Sequence, residues 1–154
     1  MDFTEKCHID GRLICSDFQK ASDTVNREFL FCTLSAFGFG SSFIQWVYTL
    51  YNNISSCALN NVHSTSSFAV KQGVRQGDPL SAYLFIMGLE ILCISIRGNN
   101  DIQGIMVDNE EIKLGLFADD LTGFVRNNHS LTQFLDVVVR FGKCSGLKLN
   151  QEKT

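Results

Sequence analysis

The first part of the chain shows two helical hydrophobic patterns after one short strand. A short apolar run that is typical of a strand leads into Asp17. Asn26 can cap a helix with an apolar stripe, and Gly38 is placed to end that helix. Ser42 followed by Gln45 is a capping-box pattern, which opens a second helix. The residues of that helix predicted to face inward are Phe43, Trp46, Val47, Leu50 and Tyr51.

The middle of the chain predicts short strands and then a long apolar helix. Two strands are predicted around residues 56–59 and 67–70. Asp78 then offers an N-cap and Pro79 a first-turn proline, so a helix is predicted to run to about Arg97.

The last part of the chain predicts a hairpin, a helix and a final strand. Apolar residues alternate over 112–125 on the two sides of a turn. Ser130 and Gln133 form a second capping box, Gly146 ends the helix that follows, and residues 147–149 begin a strand. This order of elements predicts one α+β domain over residues 1–154, with helices on one face of an antiparallel sheet.

The composition is that of an ordinary globular domain with no basic surplus. Apolar residues make up 45% of the 154 residues, charged residues make up 19%, and the formal net charge is −3. This balance counts mildly against an isolated nucleic-acid-binding module, which usually carries a positive surplus. None of the six cysteines has the spacing of a zinc knuckle, and adjacent Cys7 and His8 are a weak metal signal. Most cysteines are therefore expected to be reduced core residues.

Neither secretion nor a membrane span is expected. No basic segment followed by an apolar run opens the chain, so we expect an intracellular protein, nuclear or cytoplasmic. The stretch 80–96 is slightly short for a membrane span, and Glu90 interrupts it. A buried helix explains this stretch better.

Three aspartates are the strongest chemical signal. Asp119 and Asp120 form the predicted turn between apolar strands, where two charges are unfavourable without a neutralising cation. Asp17 also ends an apolar strand, and if the strands are neighbours, the three carboxylates converge. Aspartate oxygens suit Mg²⁺, and two such ions about 4 Å apart can clamp a phosphoryl transfer. The alternative is a plain hairpin turn, since Asp is common in turns.

Four segments, in order, resemble motifs of reverse transcriptases, most closely those of non-LTR (LINE-type) retrotransposons. Residues 17–25 (DFQKASDTV) resemble the first aspartate motif, and 72–81 (QGVRQGDPLS) resemble the nucleotide- and template-contacting motif. Residues 117–120 (FADD) resemble the aromatic-Ala-Asp-Asp box, and 145–154 (SGLKLNQEKT) resemble the motif that closes the palm. The resemblance implies a polymerase palm with part of the fingers, truncated at both ends.

The resemblance also implies a metal site. Asp17 and Asp119 would bind two Mg²⁺ ions, with Asp120 as the third carboxylate and the Phe18 carbonyl as a possible extra ligand. Mn²⁺ is a possible substitute. The implied reaction is RNA-directed DNA synthesis, with an RNA template, a DNA primer and deoxynucleoside triphosphates as partners.

The resemblance also implies that other residues contact the nucleotide or the template. Gln76 and Gly77 would lie against the incoming nucleotide and the template. Arg75 would contact phosphate or template backbone, or else be solvated. Lys153 resembles the family's candidate general acid for the leaving pyrophosphate, with a solvated surface lysine as the alternative.

The sequence departs from the family pattern at three positions. Phe117 replaces a more usual Tyr, and Ala82 replaces a common Pro. Ser22 stands where the resembling enzymes usually carry an aromatic ring that blocks the ribose 2′-hydroxyl. Because serine is too small to block it, we expect poor discrimination against ribonucleotides, or a decaying element copy.

Three alternative functions follow from these features. The first is an inert retroelement remnant, the second a different palm enzyme such as a nucleotidyl cyclase, and the third an RNA-binding module without chemistry. The Gln76-Gly77 motif argues against the cyclase. The thumb and possibly an endonuclease domain are expected outside this chain, so the isolated fragment is expected to be weak or inactive on primer-template.

Overall fold

The computed structural model describes residues 11–150 and has an α+β architecture. The strands are β1 (Arg12–Asp17), β2 (Ser55–Ser56), β3 (Leu59–Asn60), β4 (His63–Ser64), β5 (Phe68–Ala69), β6 (Ile105–Val107), β7 (Glu110–Ile112), β8 (Leu114–Phe117) and β9 (Asp120–Val125). The helices are α1 (Ala21–Thr24), α2 (Arg27–Ala36), α3 (Ser41–Tyr51), α4 (Pro79–Arg97) and α5 (Asn128–Ser145). The mixed architecture predicted from the sequence is confirmed.

The central element is a three-stranded antiparallel sheet in the order β1-β9-β8. Side chains alternate between the two faces of a strand, so one face carries the buried residues Ser16, Leu121 and Val125. Helix α4 contacts β8 and helix α5 contacts β9. On the other face Leu13 and Cys15 are exposed, so the described helices cover one face of the sheet.

Several predicted helix ends are confirmed by their capping contacts. The Asn26 side chain accepts hydrogen bonds from the backbone N–H groups of Glu28 and Phe29 at the start of α2. Asp78 Oδ1 accepts from the Leu80 N–H at 3.1 Å at the start of α4. Gly146 ends α5 with a φ of 79°, the left-handed conformation that glycine adopts without a steric penalty.

The prediction for α3 is wrong in two respects. The helix begins at Ser41 after Gly40, and no side chain caps it, so Ser42 and Gln45 do not form the predicted box. Val47 and Tyr51 are buried, whereas Trp46 and Leu50 are 69% and 50% exposed. The helix therefore packs through a narrower stripe than the sequence pattern indicates.

The start of α5 and the hairpin turn also differ from the predictions. Asn127, not Ser130, caps α5, because its side chain accepts from the Ser130 N–H at 2.8 Å. Ser130 is fully buried, and its Oγ accepts from the Gln103 N–H at 2.9 Å. The turn between β8 and β9 consists of Ala118 and Asp119, so Asp120 is already a strand residue. The predicted final strand is limited in the described residues to one bridge between Leu149 and Phe18.

An exposed ribbon joins the two halves of the domain. Strand β2 pairs with β5, and β3 pairs with β4, so residues 55–69 form two short antiparallel pairs. Every residue of these strands is exposed, and Val62 at the tip is 94% exposed. The ribbon therefore adds little to the core.

The cysteine expectation is only partly met. Among the described residues Cys93 is buried, whereas Cys15, Cys32, Cys57 and Cys144 are exposed, and all five are free thiols. The core expectation is therefore wrong for those four. Cys7 and His8 lie outside the described residues.

Helix α4 supplies much of the core. It is long and apolar enough to cross a membrane by length and composition alone. Core helices of globular domains pass the same test, and here Leu84, Leu89, Leu92 and Ile96 are almost fully buried. The structure favours the buried core helix expected from the sequence.

Gly123 allows α5 to pack closely on β9, because a Cβ atom there would lie 2.7 Å from the Phe134 ring. Phe134 is 1% exposed and has little room to move. We predict that Gly123→Ala lowers the free energy of unfolding by about 1–3 kcal/mol, as expected for overpacking. Urea denaturation measures this change.

Gly115→Ala on the neighbouring strand is the matched control, because a Cβ there meets Phe124 at an ordinary 3.7 Å. Equal denaturation midpoints for the two variants would contradict the packing role of Gly123.

Candidate active site

The strand register brings two of the three predicted aspartates together. Asp17 on β1 is the direct cross-strand partner of Asp120 on β9. Directly opposite side chains point to the same face, with Cβ atoms roughly 4.5–5.5 Å apart. Phe117 on β8 is the partner of Asp120 on its other side and is 83% exposed. Asp17 and Asp120 therefore lie side by side at the end of the sheet, on the face opposite the core.

Asp119 lies one residue away, in the turn. Its predecessor Ala118 has a φ of 53°, a left-handed conformation that is unfavourable for a residue with a Cβ atom. Such local strain is often found at functional sites. The turn directs Asp119, which is half-buried, towards a different cavity from that of Asp17.

The cavity at Asp119 has a volume of about 660 Å³. It brings together the residues for which nucleotide or template contact is predicted, namely Ser22, Arg75, Gln76 and Gly77. Apolar side chains of α4 and β8 form its other wall. Gln76 lies in the loop of residues 70–78, which joins β5 to α4. Its Nε2 donates to Asp23 Oδ1 at 3.2 Å, and this bond ties the loop to the segment after Asp17.

Asp17 and Phe18 line a second, more polar cavity of about 1130 Å³. Its other charged residues include Lys20, Arg27, Lys71 and Lys148. Phe18 itself is a core residue, 2% exposed. Asp17 and Phe18 therefore line a different cavity from Asp119, and Asp120 lines neither of the two.

The C-terminal segment lies against the first aspartate. The Asn150 N–H donates to the Asp17 carbonyl at 2.7 Å, and the Gln19 N–H donates to the Lys148 carbonyl at 2.8 Å. These bonds join the first and last motifs of the chain. Lys153 lies outside the described residues.

Two of the three predicted carboxylates lie together, and their oxygens are of the type that a hard divalent cation prefers. Aspartate oxygens are what Mg²⁺ prefers, and the Asp17–Asp120 pairing supplies two carboxylates on one face. Within residues 11–150, no group of three or more His, Cys, Asp or Glu residues is arranged to hold a metal ion. Asp119 and Asp17 line different cavities.

Arg75 is exposed and also contacts its own chain. Its Nη2 donates to the Leu50 carbonyl at 2.8 Å, and its guanidinium lies 5.8 Å from the centre of the Tyr51 ring. Arg75 therefore anchors the predicted nucleotide-contacting loop to the end of α3.

Two residues that hold this loop were not predicted from the sequence. Arg27 donates hydrogen bonds to carbonyls of the loop, and Gly73 lies against the backbone of Ser22 and Asp23. The position of Gly73 within a predicted motif could have indicated a close approach. No local pattern marks Arg27, whose partners are distant in the sequence.

Comparisons with known proteins all indicate the same family. The family profile described as "Reverse transcriptase (RNA-dependent DNA polymerase)" matches residues 7–154. The Retrovirus-related Pol polyprotein from type-2 retrotransposable element R2DM of Drosophila melanogaster is 31% identical over 137 residues, which are 89% of this chain and 13% of that protein.

Two further relatives agree. The Retrovirus-related Pol polyprotein from type-1 retrotransposable element R2 of Popillia japonica is 29% identical over 143 residues, or 92% of this chain and 20% of that protein. The Transposon TX1 uncharacterized 149 kDa protein of Xenopus laevis is 24% identical over 156 residues, or 100% of this chain and 12% of that protein. The chain thus spans a fifth or less of these relatives. It belongs to the reverse transcriptase family, as a segment of the kind found in non-LTR retrotransposons.

Proposed function

We propose that this chain forms the palm and part of the fingers of a retrotransposon reverse transcriptase, and that it extends a DNA primer on an RNA template by two-metal chemistry. The observation that carries the proposal is the pairing of Asp17 with Asp120, one residue from the cavity that Asp119 shares with Ser22 and Gln76. Carboxylates beside a nucleotide-sized cavity suit phosphoryl transfer.

Asp17, Asp119 and Asp120 would hold the two Mg²⁺ ions, and the Phe18 carbonyl would be an additional ligand. When bound, the ions would supply charge neutralisation for the attacking and leaving oxygens. Mn²⁺ takes the same oxygen donors. Asp119 would approach the Asp17–Asp120 pair as the site assembles, since it now lines a different cavity from Asp17.

The cavity of about 660 Å³ is the proposed seat of the incoming deoxynucleotide. Gly77 has a φ of 81°, and a Cβ atom there would meet no other atom within 4 Å, so a ligand can approach the backbone closely. Gln76 would contact the nucleotide and template. Lys153 stays a predicted proton donor to the leaving pyrophosphate.

An RNA template, a DNA primer and deoxynucleoside triphosphates are the proposed partners.

We predict that Asp119→Ala reduces Mg²⁺-dependent primer extension by about 100-fold or more, because one charge-stabilising group is lost. The measurement is extension of a DNA primer on an RNA template by a polypeptide that carries this segment with its flanking sequence. Asp136→Ala, on the exposed side of α5, is the control. Extension that survives Asp119→Ala, or is absent from the parent, would contradict the proposal and favour an inert remnant.

We predict that Asp120→Asn stabilises the metal-free chain by ~0.5 kcal/mol, because directly opposite like charges repel. The same variant should show a smaller rise in melting temperature on addition of millimolar Mg²⁺, since one proposed ligand is weakened. Thermal melts with and without Mg²⁺ measure both effects, with Asp136→Asn as the control. An unchanged Mg²⁺ effect in Asp120→Asn would exclude this residue as a ligand.

We predict that Ser22→Phe improves the preference for deoxynucleotides over ribonucleotides by roughly tenfold or more, which is the scale of discrimination by pocket shape. Ser22 is half-buried and lines the proposed nucleotide cavity, so a ring there would fill space near the ribose. The measurement is the ratio of deoxy- to ribonucleotide incorporation. Ser22→Ala should leave the ratio unchanged, and the same ratio in Ser22→Phe would refute a steric role.

A further inference from the structure

Arg27 occupies an unusual position for a cation. It is the first residue of α2, and the N-terminus of a helix is the positive end of the helix dipole. A second cation, Arg75, lies against the same Tyr51 ring, with centroid distances of 5.5 Å for Arg27 and 5.8 Å for Arg75. Burial lowers the pKa of Arg27, and Arg75 lowers it further, while Tyr51 raises it. Specific contacts must offset these unfavourable effects.

Those contacts are hydrogen bonds to backbone carbonyls. Arg27 Nε donates to the Gly73 carbonyl at 3.0 Å, and Nη2 donates to the Gln72 carbonyl at 3.1 Å. Nη1 donates to the carbonyls of Val70 at 2.8 Å and Tyr51 at 3.0 Å. Only the planar, five-donor guanidinium matches acceptors spread around it in this way; an ammonium group is a compact donor on a flexible stem.

The N–H groups of the same loop are held from the other side. The Gly73 N–H donates to the Val25 carbonyl at 2.9 Å, and the Val74 N–H donates to the Ser22 carbonyl at 2.7 Å. Gly73 has a φ of 82°, and a Cβ atom there would lie 2.7 Å from the Asp23 carbonyl oxygen. The loop is thus fixed between Arg27 and the segment that follows Asp17.

This arrangement leads directly to the proposed nucleotide cavity. Val74 and Gln76 continue from Gly73 and line that cavity together with Ser22 and Asp119. Arg27 itself lines the other cavity, so it does not touch the proposed nucleotide. Its influence on the nucleotide must therefore pass through the loop.

We propose that Arg27 is a positioning residue, whose hydrogen bonds to residues 70–73 hold the loop so that Gln76 and Ser22 face one nucleotide. This inference rests on the proposed function for its consequence in nucleotide binding. The loop-holding role itself concerns the chain alone.

The test compares Arg27→Lys with the parent by two measurements, both made in the polypeptide that carries this segment with its flanking sequence. Hydrogen exchange reports whether the Gly73 and Val74 amides stay protected. Binding of a labelled deoxynucleoside triphosphate, measured with Mn²⁺ and a primer-template, reports how tightly the proposed cavity holds a nucleotide. Arg27→Lys keeps the charge and loses the fork, so we expect faster exchange at both amides and about tenfold weaker nucleotide binding, equivalent to about 1.4 kcal/mol.

Two control variants distinguish a role of Arg27 in positioning the loop from a general loss of folding stability. Arg140→Lys changes an exposed arginine whose side-chain bond is to the Asp136 carbonyl of its own helix, so it should alter neither measurement. Gly123→Ala lowers stability away from the loop and should leave nucleotide binding unchanged.

Protected amides in Arg27→Lys would overturn the inference, as would nucleotide binding that falls equally in Gly123→Ala. A parent polypeptide that binds no nucleotide would instead refute the proposed function. In that case the exchange of the two amides still decides whether Arg27 holds the loop.

Discussion

The antiparallel register between β1 and β9 is the constraint on which the candidate site depends. In this register Asp17 faces Asp120, while Ser16 and Leu121 point into the core. A shift of one residue would exchange the two faces of a strand, burying a carboxylate and exposing apolar side chains. Burial of the apolar face therefore selects the pairing, and the pairing determines where the carboxylates lie. Stability and site geometry have one common cause here.

The loop ahead of α4 is held independently of the sheet. Its carbonyls accept from Arg27, its N–H groups donate to the backbone near Ser22, and Gly73 permits the close contact. Backbone hydrogen bonds thus hold the two motifs, 17–25 and 72–81, against each other, and residues of both line one cavity. Because backbone groups hold the loop, the side chains of Gln76 and Ser22 can contact a ligand.

Sequence reasoning found the features that depend on local chemistry. Asn26 and Asp78 were identified as caps because a capping residue and its partners lie within three positions. Arg27 was missed because its partners lie 24 to 46 residues away and are backbone atoms, which leave no pattern in the sequence. Trp46 was placed inward because periodicity shows an apolar face but not how much of it a neighbour covers. The three aspartates were grouped by motif, whereas the placement of Asp119 in a different cavity from Asp17 depends on the turn at Ala118.

The exposed ribbon of residues 55–69 separates two parts of the domain that supply the candidate site, and it should tolerate insertions better than either part. Residues before it supply Asp17 and Ser22, residues after it supply Gln76 and Asp119, and the strands of the ribbon itself are wholly exposed. Insertions at such sites change loop-closure entropy only slowly with length. Related chains can therefore diverge in length at this point, or be cut there into two complementary pieces, while the arrangement of the candidate site residues on either side is preserved.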